Sequence, residues 1–335
     1  MFRIGLNPYG VAYTVGLQGA GTPRANPDGI GLRGFIDLAR SIRARSIELD
    51  WRWLIPLSDA ELSALRGDLS DLTPVVCSFW LAHQPDETLS DAIRCATGLG
   101  SPIVRLHLTP VLEGGRARWG AQWPAFLDHA RRTLRREAPR AADAGLTLAI
   151  ENHQDLGSEE LVAIAEEPGG NVGIVLDTGN PFSVGEDPVD FTTRAAHLIR
   201  HVHLKDYRAQ FTPHGFRLVR CALGAGCVPF DEMARILARH SPSLTASIEL
   251  GALDARHVRL FDPDWWTGYP PRAARELGIA LGRLQRNQFE PGADCRTPWE
   301  CGATGDVITA FELGQLRQSL AYLAETEWGG ELGIR

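Results

Sequence analysis

Short apolar runs alternate with longer amphipathic stretches eight times along this chain, and that repeat limits the fold more than any other feature. The candidate strands are residues 3–7, 46–51, 74–80, 103–108, 147–152, 173–177, 200–205 and 245–250. Helical spacing follows most of them: Trp123, Phe126, Leu127, Ala130 and Leu134; Phe230, Met233, Ala234 and Leu237; Ala273, Leu277, Ala280, Leu281 and Leu284. Repeated strand-then-helix units specify parallel strands joined by right-handed crossovers. Eight units within residues 1–287 predict an α/β chain folded as a (β/α)8 TIM barrel, with an open doubly wound sheet as the competitor. Beyond Asn287 the repeat stops. A proline- and glycine-marked stretch is followed by Leu313, Leu316, Leu320 and Leu323 at helical spacing. Residues 288–335 are therefore expected to be a C-terminal extension with one helix, packed on the barrel or on a partner subunit.

At 335 residues and 44% apolar, the chain is long enough to bury a large core. Its net charge of −7 argues against sequence-independent binding of nucleic acid, which needs a clustered basic face. No apolar run approaches the ~18 residues of a membrane span, and Met1 to Asn7 reads as the first strand rather than a signal peptide. Six thinly spread cysteines match no common zinc spacing, so free thiols in a reducing cytoplasm are expected. No nucleic-acid or membrane partner is anticipated; an oligomer is.

Helix-to-strand segments are short, as at residues 144–146, whereas those at 8–27, 109–120, 206–229 and 251–271 are long. In a barrel the strand-to-helix loops share the face that carries active sites. Four strands approach that face with an ionisable residue: Glu151, Asp177, His203 and Glu249. Side chains alternate along a strand, so Ala149, Glu151 and His153 share one face, as do His201, His203 and Lys205. The step from Glu151 to Asp177 and that from Asp177 to His203 are both 26 positions, one strand-helix unit each. Three carboxylates gathered in an apolar barrel repel one another, and a divalent cation is the direct remedy. Three carboxylates and one imidazole suit Mn2+, Mg2+, Co2+ or Fe2+ better than a thiolate-seeking ion, and Mn2+ is the ion expected, with Mg2+ or Co2+ in its place. Singly, each residue also has a plain reading: a rim ion pair for either glutamate, a helix cap for Asp177, a hydrogen-bonded core histidine for His203.

Lys205 is the only lysine in a chain that otherwise uses arginine, which suggests a position the planar guanidinium cannot fill. It is expected to assist catalysis, as is His153. His107, His201, Trp80 and Trp266 are candidates for substrate contact, the tryptophans because aromatic faces stack on sugar rings. The stretch Leu223-Gly224-Ala225-Gly226 could cradle an anion or simply turn.

The segments Glu151-Asn152-His153, Leu176-Asp177-Thr178-Gly179-Asn180, His201-Val202-His203-Leu204-Lys205-Asp206 and Ile248-Glu249 resemble the signature strands of the xylose isomerase-like sugar isomerase/epimerase superfamily. The resemblance covers residues 1 to about 287. It implies that Glu151, Asp177, His203 and Glu249 hold one divalent metal ion and that Glu151 and Glu249 exchange protons with a bound sugar. Many relatives carry a histidine where this chain has Asn180, so Asn180 is placed at the substrate without a proton to shuttle. The reaction expected is proton abstraction beside a carbonyl through a metal-stabilised enolate, ending in isomerisation or epimerisation of a sugar or keto-sugar. The alternative is a lyase of the same superfamily. It would release the aglycone of a 3-keto-glycoside, as C-glycoside deglycosidase large subunits do with a smaller partner chain, or dehydrate a keto-acid. A non-catalytic sugar-binding barrel is the third reading.

Overall fold

The structure, a computed structural model, describes residues 2–81, 86–169, 171–241 and 243–329. Eight parallel strands close into a barrel: β1 (Arg3–Leu6), β2 (Ser46–Asp50), β3 (Thr73–Trp80), β4 (Ile103–His107), β5 (Thr147–Glu151), β6 (Val172–Asp177), β7 (Ile199–Leu204) and β10 (Thr245–Ile248). Around the barrel they run β1-β10-β7-β6-β5-β4-β3-β2, with β2 paired back to β1. The closed barrel is the one expected, and the open sheet is excluded. At the closing seam Gly5 lies against Ser46, where an added Cβ would come within 2.1 Å of Ser46 Oγ, so only glycine fits.

Residue alternation gives the interior its layers. Val75, Ile103, Ala149 and Val175 form an apolar floor. One pleat further along the same strands and faces stand Cys77, Arg105, Glu151 and Asp177. The upper interior is therefore ionic, where a barrel is ordinarily filled with branched apolar side chains. The predicted helical stripes form α5 (Gln122–Asp143), α8 (Phe230–His240) and α9 (Ala274–Arg286) on the outside.

Two segments read as loops carry strands. Tyr207–Thr212 (β8) and Gly215–Arg220 (β9) form an antiparallel hairpin, and Arg256–Val258 (β11) joins its β9 edge. Gly215, at φ 149°, permits the return: a Cβ there would press to 2.1 Å from Val258 O.

The predicted C-terminal helix is α10 (Gly305–Ala324). It packs on the loop after β1 through a buried carboxylate. Glu312 accepts hydrogen bonds from the Tyr13 and Thr14 backbone N–H groups (3.1 and 2.8 Å) and from the Thr14 hydroxyl (2.8 Å). Arg220, 3.7 Å from Glu312, donates to Gly10 O, Gly251 O and Gln315 Oε1 at 2.7–2.9 Å. The helix thereby ties the loops after β1 and β10 together. Residues 330–335 of the expected extension lie outside the described residues.

Candidate active site

Each expected donor sits where its strand delivers it. Glu151 and Asp177 are the last residues of β5 and β6, His203 is the penultimate residue of β7, and Glu249 follows β10. Parallel register places Asp177 beside His203. Asn152 fixes the β5–β6 step: its Nδ2 donates to Asp177 O (3.0 Å) and its Oδ1 accepts from Asp177 N (2.6 Å). All four donors are buried, and one ligand atom from each lies within 4.8 Å of the others. Asp177 also accepts the Gly179 and Asn180 N–H groups on Oδ1, so it caps the next turn as well as joining the cluster.

The cluster brings like charges close together. His203 Nδ1 lies 2.8 Å from Glu249 Oε2 and 3.4 Å from Glu151 Oε2, yet is buried without a hydrogen bond of acceptable geometry. Lys205 Nζ donates to Asp177 Oδ2 (2.5 Å) and stands 3.1 Å from Glu249 Oε1. Burial works to raise every carboxyl here. It prevails at Asp177, pushed up to about 6 with Glu249 and Glu151 adding repulsion. At Glu151 burial is overcome by His107, Arg105 and His203, and at Glu249 by Lys205 and His203, so both are held below the usual range and stay ionised. Burial would lower His203, but Glu48 and Glu151 raise it. An orphaned imidazole nitrogen among three carboxylates fits a divalent cation with hard oxygen preference.

A cleft of about 340 Å³ opens above this cluster. Of the residues singled out in the sequence, Glu151, Glu249, Lys205, His107, His153 and Trp80 line it. His107 and His153 stack with ring centroids 3.8 Å apart. His107 Nε2 lies 2.9 Å from Glu151 Oε2 and 2.7 Å from an Arg105 Nη1 donor. One ring nitrogen cannot accept from Arg105 and donate to Glu151 at once, so the ring's tautomer is tied to the state of Glu151. Burial, with Arg105 beside His107 and His107 beside His153, lowers both histidines and favours neutral rings.

Three expected substrate contacts lie elsewhere. Trp266 packs on Trp265 and Tyr269 and donates its indole N–H to Leu260 O (3.0 Å), lining a separate hollow beside Pro270. The reason is that its loop folds back on the loop after β4. Trp265 donates to Glu113 O, Tyr269 to Gly114 O, and the Arg116 guanidinium lies 3.8 Å from the Tyr269 ring centroid. His201 is fully buried beneath the cluster, between Thr245 Oγ1 (2.6 Å) and Glu48 Oε1 (2.9 Å). Asn180 is screened by Gln154, whose Nε2 donates to Asn180 Oδ1 (3.3 Å) and which faces the cleft instead. Gln154 holds φ at 90°, a costly conformation for a non-glycine residue, secured by Glu113 N on its Oε1 and Gly114 N on its carbonyl.

Sequence reasoning missed Glu48, Arg105, Tyr9 and Gln154. Alternation in Ser46-Ile47-Glu48-Leu49-Asp50 marks Glu48 and Asp50 as sharing a face, a signal the apolar flanks obscured. The glycine-marked stretch does form an anion cradle, but its occupant is internal. Asp206 accepts the N–H groups of Tyr207, Gly224, Gly226 and Val228 at 2.9–3.0 Å.

Asp155, which accepts from the Thr109 hydroxyl at 2.7 Å, gives a pH prediction. Burial pushes its carboxyl from 3.8 up to about 6, against Thr109 and Arg116. A raised acid stabilises the fold fully below its unfolded pKa, and that contribution is lost as pH rises through the folded value. Asp155→Asn is therefore expected to gain up to about 3 kcal/mol relative to wild type between pH 4 and 7. Paired urea titrations across that window check it, and a constant difference would refute it.

A closed parallel barrel with a buried carboxylate–imidazole cluster at the carboxyl ends of its strands defines a (β/α)8 barrel with a polar site at its loop face. Residues 36–265 match the family described as xylose isomerase-like TIM barrel, and the chain belongs to that family. It is 28% identical over 178 residues to the uncharacterized protein YihM of Escherichia coli K12, covering 53% of this chain and 52% of that one. It is 29% identical over 150 residues to an inosose dehydratase of Clostridium botulinum, covering 40% and 48%. The chain thus spans about half the length of these relatives. Among solved structures, a D-tagatose 3-epimerase-like protein superposes with a TM-score of 0.55 at 18% identity, covering 85% of this chain and 99% of that one. The IOLI protein with a bound zinc atom gives 0.54 at 14%, covering 92% and 99%. Both likenesses are of fold. Among the described residues, no helix is long and apolar enough to cross a membrane.

Proposed function

We propose that this protein is a divalent-metal-dependent enzyme that moves a proton beside a carbonyl of a sugar or keto-sugar, in the manner of an isomerase or epimerase. The observation that carries this reading is the convergence of Glu151, Asp177, His203 and Glu249 beneath a polar cleft that Glu151 and Glu249 both line. When bound, the cation, Mn2+ by preference, supplies the positive charge that stabilises the oxyanion developing on the substrate. The chain's own residues do the rest. Glu151 and Glu249 are both ionised, so either can remove the proton; the acid so formed gives it back at the neighbouring carbon, or the second glutamate, after taking up a proton from solvent, delivers one from its own side of the cleft. The Lys205 ammonium, buried between Asp177 and Glu249, offers a compact N–H donor to a substrate oxygen. Neutral His107 and His153 form one wall and meet hydroxyl groups; Trp80, 38% exposed, forms the outer edge.

The second reading is elimination: with a leaving group beta to the carbanion, the same proton removal ends in loss of water or of an aglycone. Similarity to the inosose dehydratase favours loss of water. Incubation with Mn2+ in D2O alongside free keto-sugars, inososes and 3-keto-glycosides separates the outcomes. Deuterium uptake with an intact skeleton supports the first reading, and loss of water or aglycone supports the second. Metal removal supplies a check that needs no substrate. Mn2+ at 100 times its dissociation constant is expected to stabilise the stripped protein by about 2.7 kcal/mol, and absence of any Mn2+-dependent shift would refute the metal reading.

A further inference from the structure

The interior beneath the donor cluster holds a second ionic arrangement that proton transfer does not use. Glu48, on β2, is fully buried. Its Oε1 lies 2.9 Å from His201 Nε2 and 3.0 Å from His203 Nε2, and its Oε2 lies 3.1 Å from His203 Nε2. His201 is itself held from behind by Thr245 Oγ1 at 2.6 Å. The chain Thr245–His201–Glu48–His203 thus crosses the barrel and ends on the one imidazole of the donor cluster. Burying a carboxylate costs several kcal/mol, and an apolar residue would fill this layer at lower cost. The arrangement must do something that packing does not.

We infer that Glu48 is the positioning residue of the metal site: it accepts the Nε2–H of His203, fixes that tautomer, and aims the Nδ1 lone pair at the point where Glu151 and Glu249 converge. His203 has two nitrogens and only one can face the cluster. With Nε2 turned to Glu48, Nδ1 stands 2.8 Å from Glu249 and 3.4 Å from Glu151, buried and without a hydrogen bond of its own. The Glu48 charge also makes His203 a stronger donor, since a carboxylate partner raises the basicity of a ligating histidine. His201, anchored at both nitrogens, keeps Glu48 from rotating away. This inference rests on the metal reading proposed above.

The test is titration of the metal-stripped full chain with Mn2+ and with Co2+, comparing wild type and Glu48→Gln. The glutamine keeps the shape but places an amide N–H against His203 Nε2–H. Binding weaker by about 10- to 100-fold, at an unchanged far-ultraviolet circular dichroism spectrum, is expected; binding within two-fold of wild type would overturn the inference. A second measurement removes dependence on the variant's folding. In the wild-type chain labelled with 15N-histidine and loaded with Zn2+, His203 is expected to show a metal-bound Nδ1 and a protonated Nε2. Coordination through Nε2, or two Zn2+ per chain with Glu48 as a ligand, would overturn it. Failure of wild type to bind any of these ions would instead strike the metal reading, which separates the two failures.

Discussion

Replacing Glu249 with glutamine is expected to lower turnover by at least about 10³-fold even at saturating Mn2+, a loss typical of a deleted acid–base group. Glu249 is 5% exposed, lines the cleft, and lies within reach of both His203 Nδ1 and Lys205 Nζ. The amide preserves volume and one acceptor but cannot take a proton. Glu151→Gln is expected to cost as much, and the pair carries a stereochemical signature. The variant lacking the glutamate that withdraws the proton should lose deuterium exchange from solvent altogether. The variant lacking the glutamate that returns it should keep exchange while forming no epimer. Equal and complete retention of conversion in either variant would refute the two-glutamate assignment.

The largest stability effect is expected far from the chemistry. Glu312→Ala removes the acceptor of two backbone N–H groups and a hydroxyl and leaves Arg220 buried with an unpaired charge. Breaking one side of a buried pair costs about 3–5 kcal/mol, and urea denaturation reads this directly. Because Arg220 also holds Gly10 and Gly251, the loop after Glu249 should loosen with it, so Mn2+ affinity is expected to fall alongside stability. A loss under about 1 kcal/mol, the ordinary value of a surface pair, would show that α10 is not a clasp.

The donor cluster was legible because two independent regularities coincide in it: alternation within each strand and the equal spacing of Glu151, Asp177 and His203. Lys205 was legible as a compositional exception. Glu48 was not, because the groups that explain it, His201 and His203, lie 153 and 155 positions away and meet it only across a closed barrel. Trp266 misled for the opposite reason. Its chemistry suits a sugar, but composition does not encode which way a loop folds, and that was decided by Glu113, Gly114 and Arg116 on another loop. The helix of the extension was visible in its leucines; its place on the loop after β1 depended on Glu312, an acidic residue that reads as solvent-facing until Tyr13 and Thr14 are seen beneath it.

The lone lysine also makes this chain unusually easy to watch. Lys205 Nζ is the single side-chain ammonium in the sequence, and it sits between Asp177 and Glu249, where anything entering the cleft must disturb it. Growth on 15N-lysine would therefore place one ammonium label in the whole molecule, at its most informative point. One resonance would report metal loading, ligand arrival and proton exchange in turn, with no mutation, no tag and no assignment problem.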